Sequence, residues 1–130
     1  MKFLNLTLLL IISILVISCS KEEDRGVGPV KELKLGEIDR NMVQEGQDLF
    51  RKKCSTCHSI DRKLIGSALK GITERRTPEW IMNMILNPDG MIKENKAAKE
   101  LFETYKVRMA PESVTEQEAR KILEYLRTQN

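Results

Sequence analysis

Cys54, Cys57 and His58 stand together in the run Cys54-Ser55-Thr56-Cys57-His58. Two thiols at this spacing can each add to one vinyl group of a single porphyrin. The adjacent imidazole then stands over the iron as its proximal ligand. The spacing therefore predicts one covalently attached c-type haem per chain. Zinc is the rival for such a set, and ligand count argues against it. Zinc takes four protein ligands in a structural site and three in a catalytic one. Here His58 is the only histidine, and the one further cysteine, Cys19, has another role at the N-terminus. A thioredoxin-type dithiol is the second rival. It belongs in a βαβ setting, and no alternating strand pattern surrounds residues 54–58.

Iron held by one imidazole needs a second axial ligand or keeps an open face. With a single histidine, a bis-histidine centre within one chain is excluded. Beyond Met1 the methionines are Met42, Met82, Met84, Met91 and Met109. Met42 lies upstream of the motif. Met82 and Met84 fall inside an apolar helical stretch and read as core or haem-lining residues, since methionine fills irregular gaps. Met91 follows Gly90 in what reads as a loop, and Met109 lies in Val107-Arg108-Met109-Ala110-Pro111. Arg75 and Arg76 could hold the haem propionates, because the guanidinium fork matches a carboxylate. Trp80 could donate its indole N–H to one. The alternative for the two arginines is that they are solvated charges flanking a helix.

The N-terminus sets the compartment. Met1-Lys2 is a short basic start, and Phe3 to Ile17 is apolar but for Asn5, Thr7 and Ser13. That run falls short of the roughly 20 residues a bilayer span needs, so residues 1–18 read as a signal peptide. It ends in Val16-Ile17-Ser18-Cys19, which resembles a bacterial lipoprotein signal, with Cys19 as the lipidated first residue of the mature chain. Covalent haem is attached outside the cytoplasm, so signal and motif point independently to the cell envelope. No thiol is then left for a disulfide. Residues 19–37 read as a flexible linker, with a charged start at Ser20-Lys21-Glu22-Glu23-Asp24 and breakers at Gly26, Gly28 and Pro29. The same start resembles the surface-export signal of Bacteroidetes lipoproteins. A plain solvated spacer explains it equally.

Helices must position the motif. Val43, Gly46, Phe50 and Cys54 share one face of a helix from about Arg40 to Lys53. Gly46 on that face suggests close approach of another helix, although a tolerated glycine costs only about 1 kcal/mol. Thr77-Pro78-Glu79 opens a second helix, with proline at its first position, and Asn87-Pro88-Asp89-Gly90 closes it. A third runs from about Asn95 to Lys106. The last begins at the capping box Thr115-Glu116-Gln117-Glu118, with Ala119, Ile122, Leu123, Tyr125 and Leu126 on its apolar face. The fold class is all-α, with residues 38–130 as one domain.

Charge excludes little but suggests a direction. Residues 19–130 carry 21 basic and 19 acidic side chains, and nothing in that balance indicates nucleic acid. Residues 51–76, which bracket the motif, hold eight basic side chains against Asp61 and Glu74.

Residues 40–130 resemble the class I cytochrome c family. In that family a glycine and an aromatic lie eight and four residues before the first haem cysteine, as Gly46 and Phe50 do here. They pack on an aliphatic and an aromatic three apart on the final helix, matched by Ile122 and Tyr125. Leu64 to Gly71 resembles the loop after the haem histidine, but Ser67 stands where proline is usual. The family uses that residue's carbonyl to accept a hydrogen bond from the proximal imidazole. Serine keeps the carbonyl and loses the rigidity. The resemblance implies about four helices wrapped around one haem, with Met109 as distal ligand and Met91 as second choice. The proline after the ligand comes one residue later than usual. Taken with the lipoprotein signal at Cys19, it also implies a monomeric, lipid-anchored carrier of single electrons rather than an enzyme, a shuttle or relay to a membrane or periplasmic reductase or oxidase. The expected redox partner presents an acidic docking surface. A small peroxidase or gas-binding haem protein is the alternative, and it would need an open distal site.

Overall fold

The computed structural model describes residues 23–130. The signal peptide and the lipidated Cys19 expected above lie outside the described residues. Six helices run in order: α1 (Arg40–Lys53), α2 (Ile72–Arg75), α3 (Pro78–Leu86), α4 (Pro88–Glu94), α5 (Lys96–Tyr105) and α6 (Glu116–Leu126), with no strand among the described residues. The four expected helices are present, and α2 and α4 are two short additions. No described helix is long and apolar enough to cross a membrane.

The first and last helices form the frame, and α1 packs on α6 more extensively than any other pair. Gly46 is where they meet. A Cβ placed there would lie 2.0 Å from the Lys121 carbonyl oxygen and 3.1 Å from Tyr125 Cβ. Only a glycine lets the two backbones approach so closely. One turn on, the rings of Phe50 and Tyr125 lie 5.4 Å apart at 51°, a tilted arrangement favoured by aromatic quadrupoles. The predicted apolar face of α6 is buried throughout, with Ala119, Ile122, Leu123, Tyr125 and Leu126 in the core. Its capping box is formed in both directions: Glu118 N–H donates to Thr115 Oγ1, and Thr115 N–H donates to Glu118 Oε2 at 2.8 Å.

Asn87-Pro88-Asp89-Gly90 does not lead into a loop, which corrects the reading that placed Met91 in one. Asn87 closes α3 and also opens α4, its Oδ1 facing Gly90 N–H and Pro88 occupying the first turn. Proline and asparagine signal a helix start as readily as a stop. Asn95 repeats the device between α4 and α5, accepting from Ala98 N–H at 3.0 Å.

Beyond residue 23 the expected flexible linker is a strap without helix, held against α3 and α6. Val30 is 5% exposed within the core. Asn83, 1% exposed, gives its whole carboxamide to the strap: Oδ1 accepts from Val30 N–H at 3.0 Å, and Nδ2 donates to the carbonyls of Val30 and Arg25. Glu79 accepts from Leu33 N–H, and Arg127 donates to the Gly36 carbonyl. Glycine and proline prevent regular structure here, and side chains of the helices satisfy the backbone instead.

Candidate haem site

The attachment motif sits where α1 ends. Cys54 caps the helix, its N–H donating to the Phe50 carbonyl, and its own carbonyl accepts from the N–H groups of Cys57 and His58. One further turn therefore brings both sulfurs and the imidazole to the same wall. Residues 59–70 then loop back on themselves, with Leu69 N–H donating to Ser59 O and Lys70 N–H to Ile60 O. Gly66 N–H returns to the Cys57 carbonyl at 2.8 Å. Gly66 lies flat against the imidazole, and a Cβ there would stand 2.4 Å from His58 Cε1.

His58 Nδ1 donates to the Ser67 carbonyl oxygen at 2.9 Å. That bond places the proton on Nδ1 and leaves Nε2 as the basic nitrogen, the state a metal-binding histidine needs.

A cavity opens beside the motif, lined by Cys54, Cys57 and His58. Phe50, Trp80, Ile81, Met84 and Ile85 form one part of its wall; Leu101, Phe102 and Tyr105 of α5 form another, and Met109 a third. Its lining is mostly apolar, with Lys53, Arg108 and Glu112 as the charged members. Cys54 and Cys57 are both free thiols. In the polypeptide before haem attachment, burial, and next Glu112, push the Cys54 thiol up to about 11. Among the described residues no group of three or more histidine, cysteine, aspartate or glutamate side chains could hold a bare metal ion. Two unpaired thiols, one oriented imidazole and a broad apolar cleft fit a flat porphyrin instead.

Several expected residues fall elsewhere. Met91 is fully buried and does not line the cavity, its sulfur accepting from Val27 N–H at 2.9 Å. It is withdrawn as a ligand candidate, because it belongs to the strap's seat. Trp80 lines the cavity, but its indole N–H is committed to Asn95 Oδ1 at 3.1 Å, which removes it as a propionate donor. Arg75 and Arg76 are not part of the cavity wall. Arg75 Nη1 donates to the Lys70 carbonyl, and the Arg76 guanidinium lies over the Trp80 ring at 4.9 Å. The cations that do reach the cavity are Lys53, which donates to the Ser113 carbonyl at 3.0 Å, and Arg108, paired with Asp89 at 3.0 Å. Each adjoins a site residue, Cys54 or Met109, and that adjacency was the available signal.

A family model described as Cytochrome c matches residues 43–130. Cytochrome c from Rhodothermus marinus superposes with a TM-score of 0.76 at 46% identity, over 78% of this chain and 88% of that one. An engineered form of that protein, bound to a carbene intermediate, superposes at 0.73 with the same identity and coverage. Cytochrome c-551 of Stutzerimonas stutzeri is 43% identical over 35 residues, 26% of this chain and 34% of its own length. That match spans about a third of the relative.

Proposed function

This chain belongs to the cytochrome c family, and on that footing we propose that it is a lipid-anchored carrier of single electrons in the cell envelope. The family binds haem c covalently and uses it for electron transfer, and Cys54 and Cys57 are the attachment residues of this chain. The observation that carries the reading is the meeting of Cys54, Cys57, His58 and Met109 on one apolar cavity. When bound there, the haem iron would cycle between ferrous and ferric states.

The chain's own residues account for the rest of the behaviour. His58, oriented by Ser67, would offer its Nε2 to the iron, and Met109 on the same cavity would offer a soft thioether, a ligand that would favour the ferrous state and discourage substrate binding. The apolar wall keeps water out, so the charge of the iron changes with little reorganisation. Lys53 and Arg108, the cations on the cavity wall, would offer positive charge to the carboxylates of a bound haem. We place the protein on the periplasmic side of a membrane or at the outer-membrane surface, tethered through Cys19. Its partner would be a redox protein with an acidic face.

The test is the holoprotein purified under mild detergent. One haem per chain should resist acidified-solvent extraction, titrate reversibly with one electron, and bind carbon monoxide poorly. Rapid carbon monoxide binding together with peroxide turnover would move the assignment to an open-site haem enzyme.

A further inference from the structure

The strap of residues 24–37 changes what an anchor at Cys19 can do. Read as free chain, residues 19–38 would let the domain wander up to about 70 Å from the lipid, at about 3.5 Å per residue. The strap removes most of that length. Its hold is distributed over separate side chains. Thr77 Oγ1 donates to the Asp24 carbonyl at 2.7 Å, and Asn95 Nδ2 to Asp24 Oδ1 at 2.7 Å. Asn87 Nδ2 donates to the Val27 carbonyl, Asn83 grips Arg25 and Val30, and Glu79 grips Leu33. Releasing the strap would break all three hydrogen bonds of the Asn83 carboxamide and expose Val30, which is packed in the core, to water.

We propose that the strap is a built-in tether shortener, which seats at Asp24 and confines the haem domain to the surface of the bilayer that holds the acylated Cys19. This rests on the lipid-anchored reading above. Four residues lie between Cys19 and Asp24, and whatever their conformation the five Cα-to-Cα steps span at most about 18 Å. A domain of roughly 90 residues has a radius of gyration of about 12 Å and so a breadth of about 30 Å. The tether is thus shorter than the body it holds. The domain cannot turn over, and the face around Asp24, Thr77 and Asn95 stays toward the lipid. That face adjoins the haem cavity through one relay, since Asn95 also receives the indole N–H of Trp80 on the cavity wall.

The experiment uses full-length, acylated holoprotein on phosphatidylcholine vesicles carrying a headgroup fluorophore, which the haem quenches when near. Three forms are compared: native, one with a Gly/Ser insertion of about 14 residues between Glu22 and Glu23, and Asn83→Ala. Native protein should quench strongly, and the insertion should reduce quenching at least about twofold, because it lengthens the tether without touching the strap. In solution, trypsin should spare Lys31 and Lys34 in the native form and cut there about tenfold faster in Asn83→Ala. Vesicle-bound protein whose quenching is unchanged by the insertion overturns the shortening alone, as does rapid native cleavage at Lys31 and Lys34. Protein that never partitions to vesicles removes the anchored reading, and this inference with it.

Discussion

The imidazole of the attachment motif is fixed by a serine: His58 Nδ1 donates to the carbonyl oxygen of Ser67 at 2.9 Å. The orienting bond uses only the backbone, so the proline usual at that position is dispensable for it. What proline would add is stiffness in the unfolded and folded loop. Ser67 N–H makes no hydrogen bond among the described residues, so its loss is cheap. Ser67→Pro should leave the visible spectrum and the potential unchanged. It should raise the unfolding free energy by about 0.4–1 kcal/mol, read as a shift of the guanidinium midpoint. A changed potential would mean that Ser67 does more than lend its carbonyl.

Two methionines beyond the signal region reach the cavity, Met84 on α3 and Met109 on the loop before α6. Met109→Ala should abolish the weak long-wavelength sulfur-to-iron band of the oxidised protein, lower the potential and open the iron to carbon monoxide. Met84→Ala should keep the band and only lower stability, by about 2 kcal/mol or more for a truncated wall residue. Met91→Ala should also keep the band, because its sulfur serves Val27. A band lost in Met84→Ala and kept in Met109→Ala would exchange their roles.

Periodicity made α1, α3, α5 and α6 legible, because each presents an apolar face at helical spacing. The attachment residues were legible because their chemistry requires a fixed local spacing. The strap was missed for an identifiable reason. Its own residues carry glycine, proline and charge, and its order comes from partners 46 to 91 positions away. A signal existed on the partner side. Glu79, Asn83 and Asn87 recur every four residues in an otherwise apolar helix, which marks a polar seat inside the core. Val27, Val30 and Leu33 recur every three residues opposite it. Asn87 misled in another way, since one asparagine can end a helix and begin the next.

Gly46 separates two opposing effects. In an isolated helix, alanine would be favoured over glycine by about 1 kcal/mol. Here the added methyl carbon would stand 2.0 Å from the Lys121 carbonyl oxygen, a backbone atom that moves only if α6 moves. Overpacking of this kind costs about 1–3 kcal/mol or more, so the clash wins. Gly46→Ala should lower the denaturation midpoint and the yield of haem-loaded protein. A stabilised variant would show that the α1–α6 contact is looser than described.

Glu124 gives the fold a dependence on acid. Burial alone would raise its carboxyl, but hydrogen bonds from Asp39 N–H and from Arg120 and Arg127 outweigh burial and hold it below the ordinary carboxylate range. A carboxyl depressed in the folded state binds its proton more readily when unfolded. Its contribution is therefore complete above the unfolded value near 4.5 and is lost as pH falls through the lower folded value. Glu124→Gln should destabilise the protein at pH 7 by about 2 kcal/mol or more and flatten the stability profile below about pH 4.5. Equal acid sensitivity in the variant would assign it to other carboxylates.

Residues 51–76 carry a net charge of +6 around the motif, and part of that charge stands at the cavity. Lys53 lines it, and the Lys63 ammonium lies 4.8 Å from the ring of Tyr105, another lining residue. Arg108 adds a third cation, partly offset by Asp89. Cys57 is exposed, as are the flanking apolar side chains of Ile65 and Val107, so the same rim that carries these cations gives access to the haem site. An acidic partner would be drawn to that rim, and steering of this kind raises association rates about 10-fold or more at low salt. Electron transfer to the native partner should therefore slow as salt rises from about 0.01 M to 0.15 M, while the Debye length contracts from about 30 to 8 Å. Lys52→Glu combined with Lys63→Glu should slow the reaction at low salt and blunt its salt dependence; Lys53 is left intact because it also holds the Ser113 carbonyl. A rate that is flat or rises with salt would mean that the partner meets a different face.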